Sequence, residues 1–219
     1  MDFGLDPETL RKGMIFYIVL ITSLCIHEWA HAFTADKLGD STPHNEGRVT
    51  LNPVVHMDLL GSVIFPLACI FLFPGGLLFG WGKPVRINPT NFPRERRTRS
   101  ELMVTLAGPG SNIVLAFIAA IIGGLLFKFE PRTAELFVQL IGINVLLAVF
   151  NMIPLPPLDG GQVLRHAVGM TEETFYNISR WSFLIIIVAI NIPGFRVLLG
   201  TVMGIVSWPM MLIYEKLAL

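Results

Sequence analysis

Long apolar runs, separated by short polar stretches, follow one another along most of the 219-residue chain. A helix of about 20 apolar residues matches the hydrocarbon thickness of a bilayer. The strongest runs cover residues 14–35, 59–81, 102–127, 134–153, 175–192 and 197–214. This pattern predicts an all-α polytopic membrane protein with about five to six transmembrane helices.

The run at residues 59–81 differs from the others because Pro66 and the sequence Pro74-Gly75-Gly76 interrupt it. The polar stretch before it, DKLGDSTPHNEGRVTLNPVVHMD, is rich in glycine, proline and asparagine, which are typical of turns. We therefore predict that residues 36–101 form an insertion with a broken or re-entrant apolar segment and short strands.

Composition and charge narrow the possible partners. Hydrophobic residues make up 53% of the chain and charged residues 15%, and the formal net charge is zero, so nothing indicates a nucleic-acid partner. Both cysteines, Cys25 and Cys69, lie inside apolar runs, and we expect free buried thiols there. The N-terminal residues lack the pattern of a signal peptide, so the first apolar run is expected to remain in the mature protein.

The first apolar run carries an ionisable cluster in the sequence CIHEWAHAF. His27 and His31 are four residues apart, so on a helix both imidazoles lie on one face and can reach one ion. Zinc accepts such ligands, and a catalytic site adds a third protein ligand and a water molecule. Glu28 holds the position of the general base in HExxH sites. Ionisable residues inside an apolar run are costly, so packing alone explains this cluster poorly.

A third ligand is sought near the end of the run at residues 134–153, in the sequence NMIPLPPLDGG. Its prolines cannot continue a regular helix, and irregular backbone at membrane depth needs protein or water to satisfy it. Asp159 lies there and is the candidate third ligand. The alternative is that Asp159 caps a helix beginning at Gly160, and the two roles can coexist.

HEWAH and NMIPLPPLDG, in this order and with this internal spacing, together resemble the site-2 protease family of intramembrane zinc metalloproteases, peptidase family M50. The sequence LAGPGSN also resembles the Ala-Gly-Pro start of the family's middle core helix. The resemblance implies one catalytic Zn²⁺ bound by His27, His31 and Asp159, with Glu28 as general base and acid. Asn151 matches the family asparagine that helps to hold the substrate or the developing oxyanion.

The resemblance covers residues 14–35 and 102–170, which would be the core of a single membrane-embedded domain over residues 1–219. Residues 175–214 would add C-terminal helices, and neither a PDZ-like insertion nor a nucleotide-binding domain is expected. The implied reaction is hydrolysis of peptide bonds within or near transmembrane segments. The implied partners are transmembrane-helix substrates and the lipid bilayer, in a prokaryotic inner membrane.

Two other functions fit parts of the pattern. A metal-binding membrane scaffold would keep the ligands without turnover, but the presence of Glu28 argues against it. A cation transporter could use intramembrane histidine and aspartate as an ion path, but the chain shows no repeat of the kind common in transporters. Outside the motifs, we expect Asn112 to bond between helices and His56 to be a turn residue at the membrane surface.

The metal ligands also constrain topology. His31 and Asp159 lie toward the C-terminal ends of two apolar runs, and one ion can join them only if both ends lie on the same side. An odd number of membrane crossings must then lie between these two ends. Residues 102–127 provide one crossing. Residues 59–81 should therefore enter the membrane and return on the same side, bending near Pro66 or at residues 74–76. In that topology most lysines and arginines lie on the active-site side, which favours a cytoplasm-facing site and an external N-terminus. Charge alone does not exclude crossing by every run.

Overall fold

A computed structural model of the chain describes residues 6–72 and 80–219, and these residues are overwhelmingly helical. The predicted all-α polytopic class is confirmed. The predicted short strands in residues 36–101 are wrong: among the described residues there is only one isolated antiparallel bridge, between Met57 and Gly82. Proline and asparagine in the polar stretch form short capped helical turns instead, as at Asn52, whose side chain accepts from Val54 N.

The long helices are α1 (Pro7–Leu38), α5 (Arg97–Phe127), α6 (Ala134–Asn151), α8 (Glu172–Asn191) and α9 (Pro193–Ala218). The short helices are α2 (Thr42–Asn45), α3 (Pro53–His56), α4 (Phe65–Leu72) and α7 (Asp159–Val168). A π-helical turn, Leu59–Ile64, leads into α4, and single 3₁₀ turns cover Pro89–Asn91, Arg94–Arg96 and Pro131–Thr133.

Within the described residues, four helical stretches are long and apolar enough to cross a membrane: Pro7–Leu38, Arg94–Phe127, Pro131–Asn151 and Pro193–Ala218. Helix α8 is bent by 54° between Ser182 and Leu184, and it makes a fifth span if its two halves cross together. Among the described residues the count thus reaches five but not six, because the described part of the apolar run at 59–81 forms a short helical stretch, Leu59–Phe71.

Small side chains bring the central helices together. Ala116, Ala119 and Ala120 of α5 are buried against Ile141 of α6 and Met210 of α9. Alanines at such contacts allow close approach of helix backbones, which is how helices pack in a bilayer. A second buried cluster joins α1 to α6. The core is therefore a bundle of α1, α5 and α6, with α9 packed on its outer side.

The interrupted apolar segment ends close to where it begins. Trp81 N donates to Gly61 O at 3.2 Å, and Ser62 Oγ donates to Trp81 O at 2.6 Å. A side chain at position 61 would overlap the Trp81 indole, so glycine permits this contact. The two ends lie side by side, as the re-entrant prediction requires. Pro66 lies in the first turn of α4, and the other predicted bend, at residues 74–76, lies outside the described residues.

Asp40 joins the end of α1 to the segment that precedes α5. Its fully buried carboxylate accepts from Thr42 Oγ1 at 2.6 Å, from Asn88 N at 2.7 Å and from Asn91 Nδ2 at 2.7 Å. Burial raises the pKa of Asp40, but these hydrogen bonds outweigh it, so the pKa lies below its ordinary value. One ionised side chain therefore holds two distant loops together.

We expect Asp40→Asn to lower the free energy of unfolding by about 2 kcal/mol, because hydrogen bonds to a charged group are lost. A lowered pKa in the folded state contributes stability above the unfolded pKa of about 4, and this contribution disappears as pH falls. The Tm difference between wild type and variant, measured in detergent micelles, should therefore be largest at neutral pH and shrink in acid. A pH-independent difference would contradict this account, and Glu46→Gln serves as the control acid.

Candidate metal centre

Three side chains from two distant parts of the chain meet inside the bundle. His27 and His31 lie one turn apart on α1, and Asp159 opens α7. The two Nε2 atoms are 3.1 Å apart, and Asp159 Oδ2 lies 3.3 Å from His27 Nε2 and 3.5 Å from His31 Nε2. Both histidines are buried. The structure thus brings together the three predicted ligands.

The other ring nitrogen of each histidine fixes its tautomer. His31 Nδ1 lies 2.7 Å from Val104 O, which can only accept, so Nδ1 carries the proton. His27 Nδ1 lies 2.7 Å from Asn112 Oδ1. The Asn112 amide nitrogen donates to Asn144 Oδ1 at 2.8 Å, so Asn112 Oδ1 is the acceptor for His27 Nδ1–H. Both Nε2 lone pairs therefore point toward the same place.

This donor set fits a zinc ion. Tetrahedral zinc with bonds of about 2.0–2.1 Å separates its ligand atoms by about 3.3 Å, close to the three distances seen here. Asp159 Oδ2 is buried without a hydrogen-bond partner. A buried acceptor without a donor, facing two imidazole lone pairs, is costly unless a cation lies between them. Three protein ligands also leave a position for water, as catalytic zinc sites require.

Glycines make the approach of these elements possible. A side chain at Gly108 of α5, in the AGPG sequence, would overlap His31 Nε2 and the His27 ring. At the start of α7, a side chain at Gly160 would overlap Met152 O, and one at Gly161 would overlap the Pro156 backbone. The first turn of α7 therefore packs directly on the preceding proline-rich loop.

The capping alternative for Asp159 is wrong. Helix α7 begins at Asp159 itself, and the residue before it, Leu158, is the N-cap without a side-chain cap bond. The Asp159 carboxylate instead faces the two histidines. Its position at the positive end of α7 suits a carboxylate.

Glu28 and Asn151 line the same cavity, which has a volume of about 840 Å³. Glu28 Oε2 accepts from Val85 N at 3.2 Å. Asn151 lies at the last residue of α6, where its amide donates to Leu147 O of the same helix at 2.9 Å. The structure therefore places both predicted catalytic side chains on the cavity that the histidine pair also lines, and one of the two Asn151 N–H donors is engaged with Leu147 O.

Sequence reasoning missed part of the surroundings of His27. Asn112 bonds between helices as predicted, but it also contacts His27, and Asn144 Nδ2 continues the network to Ser23 Oγ at 3.0 Å. Asn112, Asn144 and Ser23 are all fully buried. The available signal for Asn144 was an amide side chain in the middle of the apolar run of α6.

His56 lies in a short helical turn, in keeping with the prediction of a turn residue, and its side chain is buried. It ends α3, and burial lowers its pKa. Its Nε2 lies 2.8 Å from Thr50 O, so a neutral imidazole donates to that carbonyl. The side chain closes the loop between residues 50 and 56.

Taken together, fold and site define a class: a polytopic membrane protein in which an HExxH pair meets an aspartate from a later helix. Residues 128–190 match the family model of peptidase family M50. The chain is 34% identical over 219 residues to "Putative zinc metalloprotease YwhC" of Bacillus subtilis, covering 94% of this chain and 88% of the relative. It is 31% identical over 191 residues to "Putative zinc metalloprotease Rip2" of Mycolicibacterium smegmatis, covering 82% and 69%.

A relative of the same name from Mycobacterium tuberculosis is 30% identical over 212 residues, covering 94% of this chain and 77% of that protein. No solved structure matches the chain. The chain belongs to peptidase family M50, the site-2 protease family. It is a metalloprotease and a multi-pass membrane protein, so the predicted family and enzyme class are confirmed.

If zinc occupies this centre, we expect Asn112→Leu to weaken its binding by about 10–100-fold, because His27 Nδ1–H loses the Asn112 oxygen that orients the ring. Asn144→Leu is the matched control: it removes a buried amide from the same network but not the contact with His27. The zinc affinity of each variant is measured as the fraction of zinc that the protein retains in the presence of chelators of increasing affinity. Equal losses in the two variants would mean that the network affects folding and not the orientation of His27.

Proposed function

We propose that this chain is a zinc-dependent intramembrane endopeptidase, which hydrolyses peptide bonds within or near transmembrane segments of membrane proteins. The observation that carries the proposal is the convergence of two imidazole lone pairs on the unpaired Asp159 oxygen, buried in a bundle of membrane-spanning length. In this proposal His27, His31 and Asp159 hold one Zn²⁺, and Glu28 is the general base.

When bound, zinc would act as a Lewis acid and lower the pKa of a bound water to about 7. Glu28 takes the proton of the attacking water and later delivers it to the leaving amine. Val85 N–H holds Glu28 Oε2 in place, so the carboxylate is oriented before the substrate arrives. The second N–H of the Asn151 amide, which is not bonded to Leu147 O, can donate to the substrate carbonyl or the developing oxyanion.

The cavity walls suit an extended peptide. Pro157 and Leu158 line one side, and Trp81, Pro84 and Val85 line another. An intact substrate helix hides its carbonyls, so it must unwind before hydrolysis. Proline lacks an N–H donor, so the Pro157 side offers carbonyls and a wall to the unwound strand. Transmembrane-helix proteins are therefore the proposed substrates.

Glu28→Gln should reduce cleavage of a transmembrane reporter by at least about 100-fold, because a general base contributes about 10²–10⁴-fold. Zinc content should stay at the wild-type level, since the three ligands are intact. Cleavage by purified protein in micelles and metal analysis measure the two effects, with Glu46→Gln as an acid outside the site. Surviving cleavage would show that Glu28 is not the base.

We further propose that the active site faces the cytoplasm, with the N-terminus outside, in a prokaryotic inner membrane. Helices α1 and α6 both run toward the histidine–aspartate cluster, and the apolar segment between α3 and residue 81 returns beside its own start. The long α5 then supplies the single crossing between them. The basic residues on the cluster side agree with the positive-inside rule.

Single cysteines at positions 45 and 95, in a chain lacking Cys25 and Cys69, should both react with a membrane-impermeant thiol reagent from the cytoplasmic side. A cysteine at the exposed position of Phe129, between α5 and α6, should react from the external side. Labelling of positions 45 and 95 from opposite sides would contradict the topology.

A further inference from the structure

Arg48 is a buried cation beside the proposed base, outside the two sequence motifs. It is only 4% exposed. Its Nη1 donates to Val55 O, and its Nη2 donates to Lys83 O and lies 4.0 Å from Glu28 Oε2. Its Nε has no hydrogen-bond partner. Burying a guanidinium is costly, and Glu28 is the one acid within ion-pair distance of it among the described residues.

One of the two carbonyls that Arg48 contacts, Lys83 O, belongs to the segment of residues 82–85, hereafter the 82–85 strip. Lys83 N donates to His56 O at 2.8 Å, and Gly82 forms the isolated bridge with Met57. Two residues further, Val85 N donates to Glu28 Oε2 at 3.2 Å. The strip is therefore fixed at one end by Arg48 and the α3 loop, and its other end contacts the carboxylate.

Gly82 brings the strip against the Glu28 side chain. A methyl group at position 82 would lie 3.3 Å from both Cγ and Oε1 of Glu28, tighter than an ordinary contact. The strip therefore packs closely on the Glu28 side chain, and a shift of the strip toward Glu28 would displace the carboxylate. Displacements of about 1 Å at a reacting group can cost 100-fold in rate.

We propose that Arg48 is a positioning residue for Glu28. Arg48 fixes the 82–85 strip across the carboxylate, so that Val85 N–H holds Oε2 and the other oxygen, Oε1, is directed to the attacking water. The same guanidinium places a positive charge 4.0 Å from the Glu28 carboxylate. This inference rests on the proposed role of Glu28 as general base.

The test compares Arg48→Gln and Gly82→Ala with the wild type, with Arg86→Gln as control. Arg86 lies just beyond the strip, but its side chain is 83% exposed and forms an ion pair at 3.7 Å with Glu46. Arg48→Gln should lower kcat by about 10–100-fold with KM and zinc content unchanged. Gly82→Ala should lower kcat in the same way with Arg48 intact, and Arg86→Gln should leave both constants unchanged.

Arg48→Lys adds a charge-preserving variant. A lysine ammonium lacks the planar fork that reaches two carbonyls, so it should restore only part of the rate. Amide hydrogen exchange gives a readout independent of cleavage: the peptide containing Val85 should exchange faster in Arg48→Gln and at the wild-type rate in Arg86→Gln. Cleavage by the wild-type protein in the same assay tests the endopeptidase proposal by itself. The differences between the variants and the wild type test the role of Arg48.

Two results would overturn the proposal. Wild-type kcat in Gly82→Ala, together with unchanged exchange at Val85 in Arg48→Gln, would show that Arg48 only joins loops. A rise in KM at constant kcat in Arg48→Gln would show that the strip contacts substrate and does not orient Glu28.

Discussion

The constraint on which the site depends is the meeting of three electron-rich atoms at one buried point. Two imidazole nitrogens and a carboxylate oxygen lie 3.1–3.5 Å apart in an apolar bundle, where repulsion is poorly screened. Such an arrangement persists only if a cation balances it and the surrounding chain enforces it. Gly108 gives the rings room, and Gly160 lets Asp159 approach. Local sequence choices around the centre follow from this one requirement.

The buried amides serve orientation more than stability. Hydrogen bonds between helices in a membrane contribute only about 0.6 kcal/mol on average. The ladder from Ser23 through Asn144 and Asn112 nevertheless ends on His27 Nδ1, and its acceptors and donors define a single ring tautomer. Because the members of this polar network are hydrogen-bonded to one another, the network gives the His27 ring one orientation, which apolar packing alone would not specify.

Local pattern and spacing predicted the features that depend on short-range geometry. The four-residue spacing of His27 and His31 places both on one helix face. The return of the interrupted segment was predicted in another way, from the odd number of membrane crossings that a shared metal site requires between His31 and Asp159. What the sequence could not show depends on contacts between distant residues. Arg48 reaches Lys83, 35 positions away, and Asn144 reaches Ser23 across 121 positions. The prediction of short strands in residues 36–101 was wrong for another reason. Turn-forming residues such as proline and asparagine are common both beside strands and in single helical turns, so they do not distinguish the two.

The proposed third ligand, Asp159, is positioned by the protein itself. Helix α7 has ten residues and is too short to span a membrane. Without contacts to the bundle, its first turn, which carries Asp159, would be held by a metal ion alone. Arg165 of α7 donates to Glu101 at 2.9 Å, and His166 lies 3.2 Å from the same carboxylate. This pair fastens α7 to α5, the helix that also carries Gly108 and Asn112. Because one helix orients the histidines and holds the segment bearing Asp159, packing brings the three groups together, and a bound cation would balance their charge.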